Sequence, residues 1–213
     1  MIKVGLTGNR YTGKDIVGRI FEQINVPVFN VDVIIKFILQ YKNDIDSDIK
    51  IQLGRGVFTN DGFLDPRKFN TTEKFNRLLE IVEPDLFMAY QKFIVKNKKS
   101  LYTIFHSSIL FENGWDKKMD QNISVFSPKD VRIARCKRQN HTMSLQNIYD
   151  FMSTEYDDLT INRKSNYVIH NYDDALSLTA QVDDIDRKLV DLYLKDKMGN
   201  NFTNSTIVKN IMS

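Results

Sequence analysis

The sequence predicts an α/β fold, a parallel five-stranded sheet layered between helices, carrying a helical insertion and a lid. Three observations predict it. Strand-length apolar runs occur at Ile2–Thr7, Val26–Asp32, Leu101–Ser107, Asn122–Phe126 and Tyr167–His170. The segments between them are long enough for the crossovers that parallel strands require. Where the first run meets the first helical pattern, the chain reads Gly8-Asn9-Arg10-Tyr11-Thr12-Gly13-Lys14.

That junction is a phosphate-binding loop. Two glycines let the backbone curl around a phosphate with its N–H groups inward, through conformations that a Cβ obstructs. Lys14 adds a mobile charge, and the helix from Asp15 to Gln23 turns its positive N-terminus to the same anion. The pattern calls for a hydroxyl after the lysine to hold magnesium, and this chain has Asp15 there. A carboxylate is a good hard ligand for that ion but places negative charge beside the nucleotide phosphates.

Composition narrows the function classes. Lysine and arginine number 30 against 27 acidic residues in 213, and a net charge of +3 does not argue for a nucleic-acid partner. Cys136 is the only cysteine, which excludes an internal disulfide framework and a cysteine-based zinc cage, and suits a reducing cytoplasm. No apolar stretch approaches about 18 residues, and the amino terminus reads as a core strand, so no membrane or export signal is expected.

Along the chain, the second strand is expected to end at Asp32, ahead of a helix over Val33–Gln40. Side chains at the carboxyl ends of strands in an open α/β sheet line the ligand crevice, so Asp32 is expected to face the loop. It is also placed to cap that helix. From about residue 44 to residue 100 the strand signal gives way to a helical insertion, with separate helices over Glu73–Ile81 and Pro84–Val95. Within it an Asp61-Gly62 turn precedes a helix start at Pro66, from which Arg67 is placed to meet a substrate phosphate. Beyond the third strand, Ile109-Leu110-Phe111-Glu112 brings Glu112 to the crevice. Ser127-Pro128 opens a basic helix to Arg138, bearing Arg132, Arg135, Lys137 and Arg138. The polar stretch of about 139–164, with few core candidates, is expected to be a mobile lid. A long helix over Asp173–Leu194 and a loose polar tail from Gly199 complete the chain. His106, His141 and His170 are far apart in sequence, so none supports a metal site. The chemistry points to phosphoryl transfer to a small molecule.

With those residues in place, the chain resembles the dephospho-CoA kinases, which phosphorylate the ribose 3′-hydroxyl of dephospho-CoA with ATP. The resemblance runs from Met1 to about Leu194. It rests on Val4-Gly5-Leu6-Thr7-Gly8 through Lys14, on Val26-Pro27-Val28-Phe29-Asn30-Val31-Asp32 and on Asp61-Gly62 with Arg67. Leu110-Phe111-Glu112, Ser127-Pro128 with the arginines that follow, and Tyr167-Val168-Ile169-His170-Asn171 complete it. It implies a P-loop NTPase three-layer sandwich in a single domain, with ATP and Mg2+ as cofactors. By the same match Lys14 holds the β- and γ-phosphates within the loop Gly8 to Asp15, and Asp32 takes the proton of the attacking hydroxyl. Arg135 or Arg138 reaches the γ-phosphate, Arg67 meets substrate phosphate, Glu112 borders the substrate, Asn171 borders adenine, and Asp15 stands at the metal. Asp15, Asn30, Glu83, Ser108 and Glu155 depart from the family pattern, Glu155 falling where the lid has a glutamine.

Two other readings stand beside it. Deoxynucleoside monophosphate kinases of large bacterial viruses also carry Gly-Lys-Asp loops, which Asp15 favours, although the Asp61-Gly62 to Arg67 and Leu110-Phe111-Glu112 matches belong to the coenzyme A branch. Asp15, Asn30 and Glu83 together motivate a non-catalytic relative that works as an interaction module.

Overall fold

A computed structural model describes the chain except residues 42–44, 60–63, 65–71, 154, 173 and 212–213. Residues 72, 75, 151, 175 and 199–211 are described without their side chains. The elements run β1 (Ile2–Thr7), α1 (Lys14–Gln23), β2 (Val28–Asn30), α2 (Val31–Tyr41), α3 (Ile45–Leu53), α4 (Thr72–Lys96), β3 (Tyr102–His106), β4 (Gln121–Phe126), α5 (Lys129–Gln139), α6 (Leu145–Ser153), α7 (Asp158–Lys164), β5 (Tyr167–His170) and α8 (Ala175–Ile211).

The sheet has the order β2-β3-β1-β4-β5. β1 pairs in parallel with β3 and β4, and β4 with β5. The chain therefore winds to one side of β1 and then to the other. In such a sheet the crevice beyond the carboxyl ends of the central strands receives the ligand. Alternation along the strands builds the core. Val4, Leu6, Ile104, Ile123, Val125 and Ile169 bury one face of the sheet against Val17 and Phe21 of α1 and Leu178, Val182, Ile185 and Leu189 of α8. Tyr102 donates its hydroxyl proton to Asp186, tying α8 to β3, and burial raises the Tyr102 pKa. Elsewhere Phe105 stacks on Phe29 and meets Trp115 edge to face, each pair at 5.8 Å between ring centres.

The chain forms two compact units, one of Met1–Phe29 with Asn97–Ser213 and one of Asn30–Lys96. In the second, α4 packs against both α2 and α3. The insertion expected at about residues 44–100 largely falls within that unit.

Four expectations are corrected. β2 ends at Asn30 and α2 already begins at Val31, so Asp32 belongs to a helical first turn rather than to a strand tip. The Asn30 side chain accepts the Val33 N–H at 3.2 Å, an N-cap that starts the helix two residues early. The two helices expected on either side of Glu83 are one, α4, which runs through Pro84. Buried Leu79, Val82, Leu86 and Tyr90 keep one apolar stripe across that proline, and the lost bond is one among many. The stretch thought poor in core positions buries Ile148, Met152 and Ile161. Ile148 and Met152 pack with Cys136, against which Tyr11 of the loop also rests. The tail continues as helix to Ile211, because it holds no proline and Gly199 alone does not end the helix.

Candidate active site

β1 ends at Thr7, and the turn after it is possible only with glycine. Gly8 has φ +153°, and a Cβ there would lie 2.5 Å from the Val125 carbonyl oxygen. Gly13 has φ +89°, and a Cβ there would collide with the Asn171 amide. Between them Tyr11 adopts φ +63°. The Thr12 hydroxyl donates to the Asn9 carbonyl at 2.8 Å, closing the curl. The Gly13 carbonyl then accepts from Ile16 and Val17, and α1 begins with no side chain capping it. An uncapped helix start with its amides turned to a glycine-lined curl is an anion site.

The tips of the neighbouring strands hold this curl. Asn171, buried beyond β5, donates its amide to the Thr12 carbonyl at 2.8 Å. Arg135 donates to the Tyr11 carbonyl and the Ser127 hydroxyl, both at 2.8 Å, and to the Asn171 carbonyl at 3.3 Å. Ser127 in turn donates to the Asn171 carbonyl at 2.5 Å. A cavity of about 570 Å³ opens here, lined among others by Arg10, Gly13, Lys14, Asp15, Arg135 and Asn171. Arg19 lines it too, so four cations face one carboxylate, the balance that a polyphosphate needs. Lys14 is only 7 % exposed.

The segment joining α6 to α7 is pinned to the loop. Glu155 accepts the Arg10 N–H at 2.9 Å and pairs with Arg132 at 2.5 Å; both side chains are more than nine-tenths buried. Arg132 also reaches the Arg10 carbonyl at 3.3 Å and Asp158 at 3.4 Å. Asn9 donates to the Tyr156 carbonyl at 2.8 Å and to Asp158 at 2.7 Å. A glutamine at position 155 would leave Arg132 without this charge pairing. Removing one partner of a buried pair strands the other charge, which costs about 3–5 kcal/mol. Glu155→Ala should therefore lower unfolding stability by about 3 kcal/mol, the low end because Asp158 remains, as read by urea denaturation.

The predicted residues divide. Gly8 to Asp15, Arg135 and Asn171 come together. Arg138 is exposed near the end of α5, and of the two arginines only Arg135 lines the cavity. Glu112 sits in the turns after β3, not at the cavity. It keeps an exposed surface, yet desolvation of its carboxyl raises its pKa, which hydrogen bonds from the Glu112 and Phe111 backbone and then the charges of Lys164 and Arg10 partly oppose. Asp32 lies in the first turn of α2, in the second unit. Arg67, with Asp61 and Gly62, lies outside the described residues.

Sequence reasoning missed His106 and Arg132. His106 ends β3 in register with Leu6 of β1, is 2 % exposed, and brings Nε2 to 3.5 Å from Asp15 Oδ1. Ninety-one positions separate the two, and only the adjacency of β3 and β1 joins them. Arg132 read as one of several charges on a basic helix, and its pairing with Glu155 and Asp158 is not announced by the helix itself.

A family model described as dephospho-CoA kinase matches residues 2–176. The chain belongs to the dephospho-CoA kinase family. Membership makes it an ATP-dependent phosphotransferase. The dephospho-CoA kinase of Zymomonas mobilis subsp. mobilis is 28 % identical over 195 residues, covering 89 % of this chain and 98 % of that relative. Among solved structures, the Thermus thermophilus protein TT1252 superposes with a TM-score of 0.75 at 18 % identity, over 90 % of this chain and 97 % of its own. The dephospho-CoA kinase of Campylobacter jejuni gives 0.53 at 15 % identity, over 88 % and 96 %. At these identities the structural likenesses speak for the fold alone.

Proposed function

We propose that this family member transfers the γ-phosphoryl group of ATP to the ribose 3′-hydroxyl of dephospho-CoA in the cytoplasm. The observation that carries it is the cradle itself, in which Gly8 and Gly13 stand where any Cβ would collide and Lys14 leads the helix behind them. The loop amides and Lys14 bind the β- and γ-phosphates, Arg135 adds charge beside them, and Asn171 borders the adenine. Asp32 accepts the proton of the 3′-hydroxyl as its oxygen bonds to the γ-phosphorus. The bond from that phosphorus to the β–γ bridging oxygen breaks, and ADP leaves. Arg67 and Glu112 bind the acceptor. Catalysis of this kind is mostly positioning and charge stabilisation. The segment of about residues 139–164 acts as the lid that excludes water. The site for the accompanying Mg2+ fits the residues present, since the Asp15 carboxylate is a hard oxygen ligand at the head of α1. When bound, the ion neutralises charge on the phosphate oxygens. The cytoplasmic assignment is supported by the buried free Cys136; among the described residues, no helix is long and apolar enough to cross a membrane.

An acceptor screen tests the reading. ADP release is measured with dephospho-CoA and, separately, with each deoxynucleoside monophosphate. Turnover is expected with dephospho-CoA. Turnover confined to a deoxynucleotide would replace the acceptor, and none with any of them would leave a nucleotide-binding module.

A further inference from the structure

Phosphate-loop enzymes hold the nucleotide's cation with a hydroxyl on the helix that follows the lysine and a carboxylate from a neighbouring strand. This chain carries a carboxylate, Asp15, on the helix, and a buried imidazole, His106, at the tip of the strand beside β1. The two donor atoms stand 3.5 Å apart. We propose that Asp15 and His106 jointly ligate the divalent cation that accompanies the nucleotide, and that this nitrogen ligand turns the site's preference from Mg2+ toward Co2+ and Zn2+. The proposal rests on the nucleotide-binding reading above.

Geometry and chemistry agree. Two ligands bound at about 2.0–2.1 Å to one tetrahedral ion lie about 3.3 Å apart, and neighbouring ligands of an octahedral ion about 3.0 Å. The observed 3.5 Å exceeds the tetrahedral spacing by about 0.2 Å and the octahedral one by about 0.5 Å, so a closure of about half an ångström or less completes the bite. The imidazole is buried. His106 is 2 % exposed, and α1 passes beside it at Gly18, where an added Cβ would make ordinary contact with Nδ1 at 3.6 Å. Asp15 is the adaptable partner, with a side chain 60 % exposed that lines the cavity. His106 Nε2 is buried and His106 does not line the cavity, so the Asp15 side chain must rotate to admit the ion. Loop and strand together still contribute one negative charge, as a hydroxyl with a carboxylate does, so the phosphates meet no added repulsion. Magnesium takes oxygen ligands and keeps its waters, whereas imidazole suits the later transition ions. A nitrogen in the ligand set therefore separates the two classes of ion.

The test uses the full chain loaded with Mn2+ and ADP, with histidine either unlabelled or labelled with nitrogen-15. Pulsed electron paramagnetic resonance should show a histidine nitrogen coupled to the manganese that changes with the label. His106→Asn, still binding Mn2+–ADP by calorimetry, should lose it. A manganese–ADP complex that forms without histidine coupling in the wild type overturns the proposal, whether or not the variant folds. As a second measurement, the Asp15→Ser, His106→Asp double variant restores the usual donor pair. Its preference for Co2+ over Mg2+ in ADP binding should fall by about tenfold, and an unchanged preference also overturns the proposal. Absence of any metal–ADP binding to the wild type would instead remove the nucleotide reading, and the proposal with it.

Discussion

Lys14→Ala should lower kcat/KM for ATP by about 10²–10³-fold or more, the loss seen when one preorganised donor to a developing charge is removed. The side chain is 7 % exposed at the head of α1, inside a cavity that other cations also line. Arg135, for example, already donates to Tyr11, Ser127 and Asn171, so it cannot swing over to replace the missing ammonium. The loop should keep its shape, because Gly8, Thr12 and Asn171 hold it through contacts that exclude Lys14. Steady-state rates with calorimetric ATP titration measure the effect, and circular dichroism checks the fold. Unchanged turnover in that variant would refute phosphoryl transfer at this loop.

Asp32→Asn should reduce kcat by about 10²–10⁴-fold while leaving the affinity for ATP unchanged, as expected for loss of a general base. A purely structural role predicts something much smaller. Asp32 lies in the first turn of α2, where a carboxylate interacts with the helix dipole for about 0.3–1 kcal/mol. Asparagine keeps the shape of the side chain, and Asn30 continues to cap the helix through the Val33 amide. A rate loss of two decades or more with a melting point nearly unmoved thus separates base from cap. A parallel fall in stability and rate would assign Asp32 to the helix alone.

Much of this site was readable in one dimension because its chemistry is local. Gly8, Gly13 and Lys14 lie close along the chain, so the curl they form is written in their spacing. The five strands were legible for a similar reason, since parallel strands buried on both faces form continuous apolar runs. What stayed hidden depends on contacts between distant segments. His106 meets Asp15 through the pairing of β3 with β1, and Arg132 is buried by two carboxylates that follow it by 23 and 26 positions. Asp32 was misplaced as an element, because the side chain of Asn30 starts a helix where the apolar run suggested more strand. Pro84 misled in the opposite sense: a local breaker was outvoted by an apolar stripe spanning the whole of α4.

The claim on which the account depends is that Asp32 accepts the proton of the acceptor hydroxyl. A crystal structure of the chain with ADP and dephospho-CoA measures this directly. The account predicts the Asp32 carboxylate within about 2.6–3.2 Å of the ribose 3′-hydroxyl, with that hydroxyl facing the position of the γ-phosphate. A ternary complex holding both ligands, with the Asp32 carboxylate turned away from the acceptor and out of hydrogen-bonding reach, would contradict it.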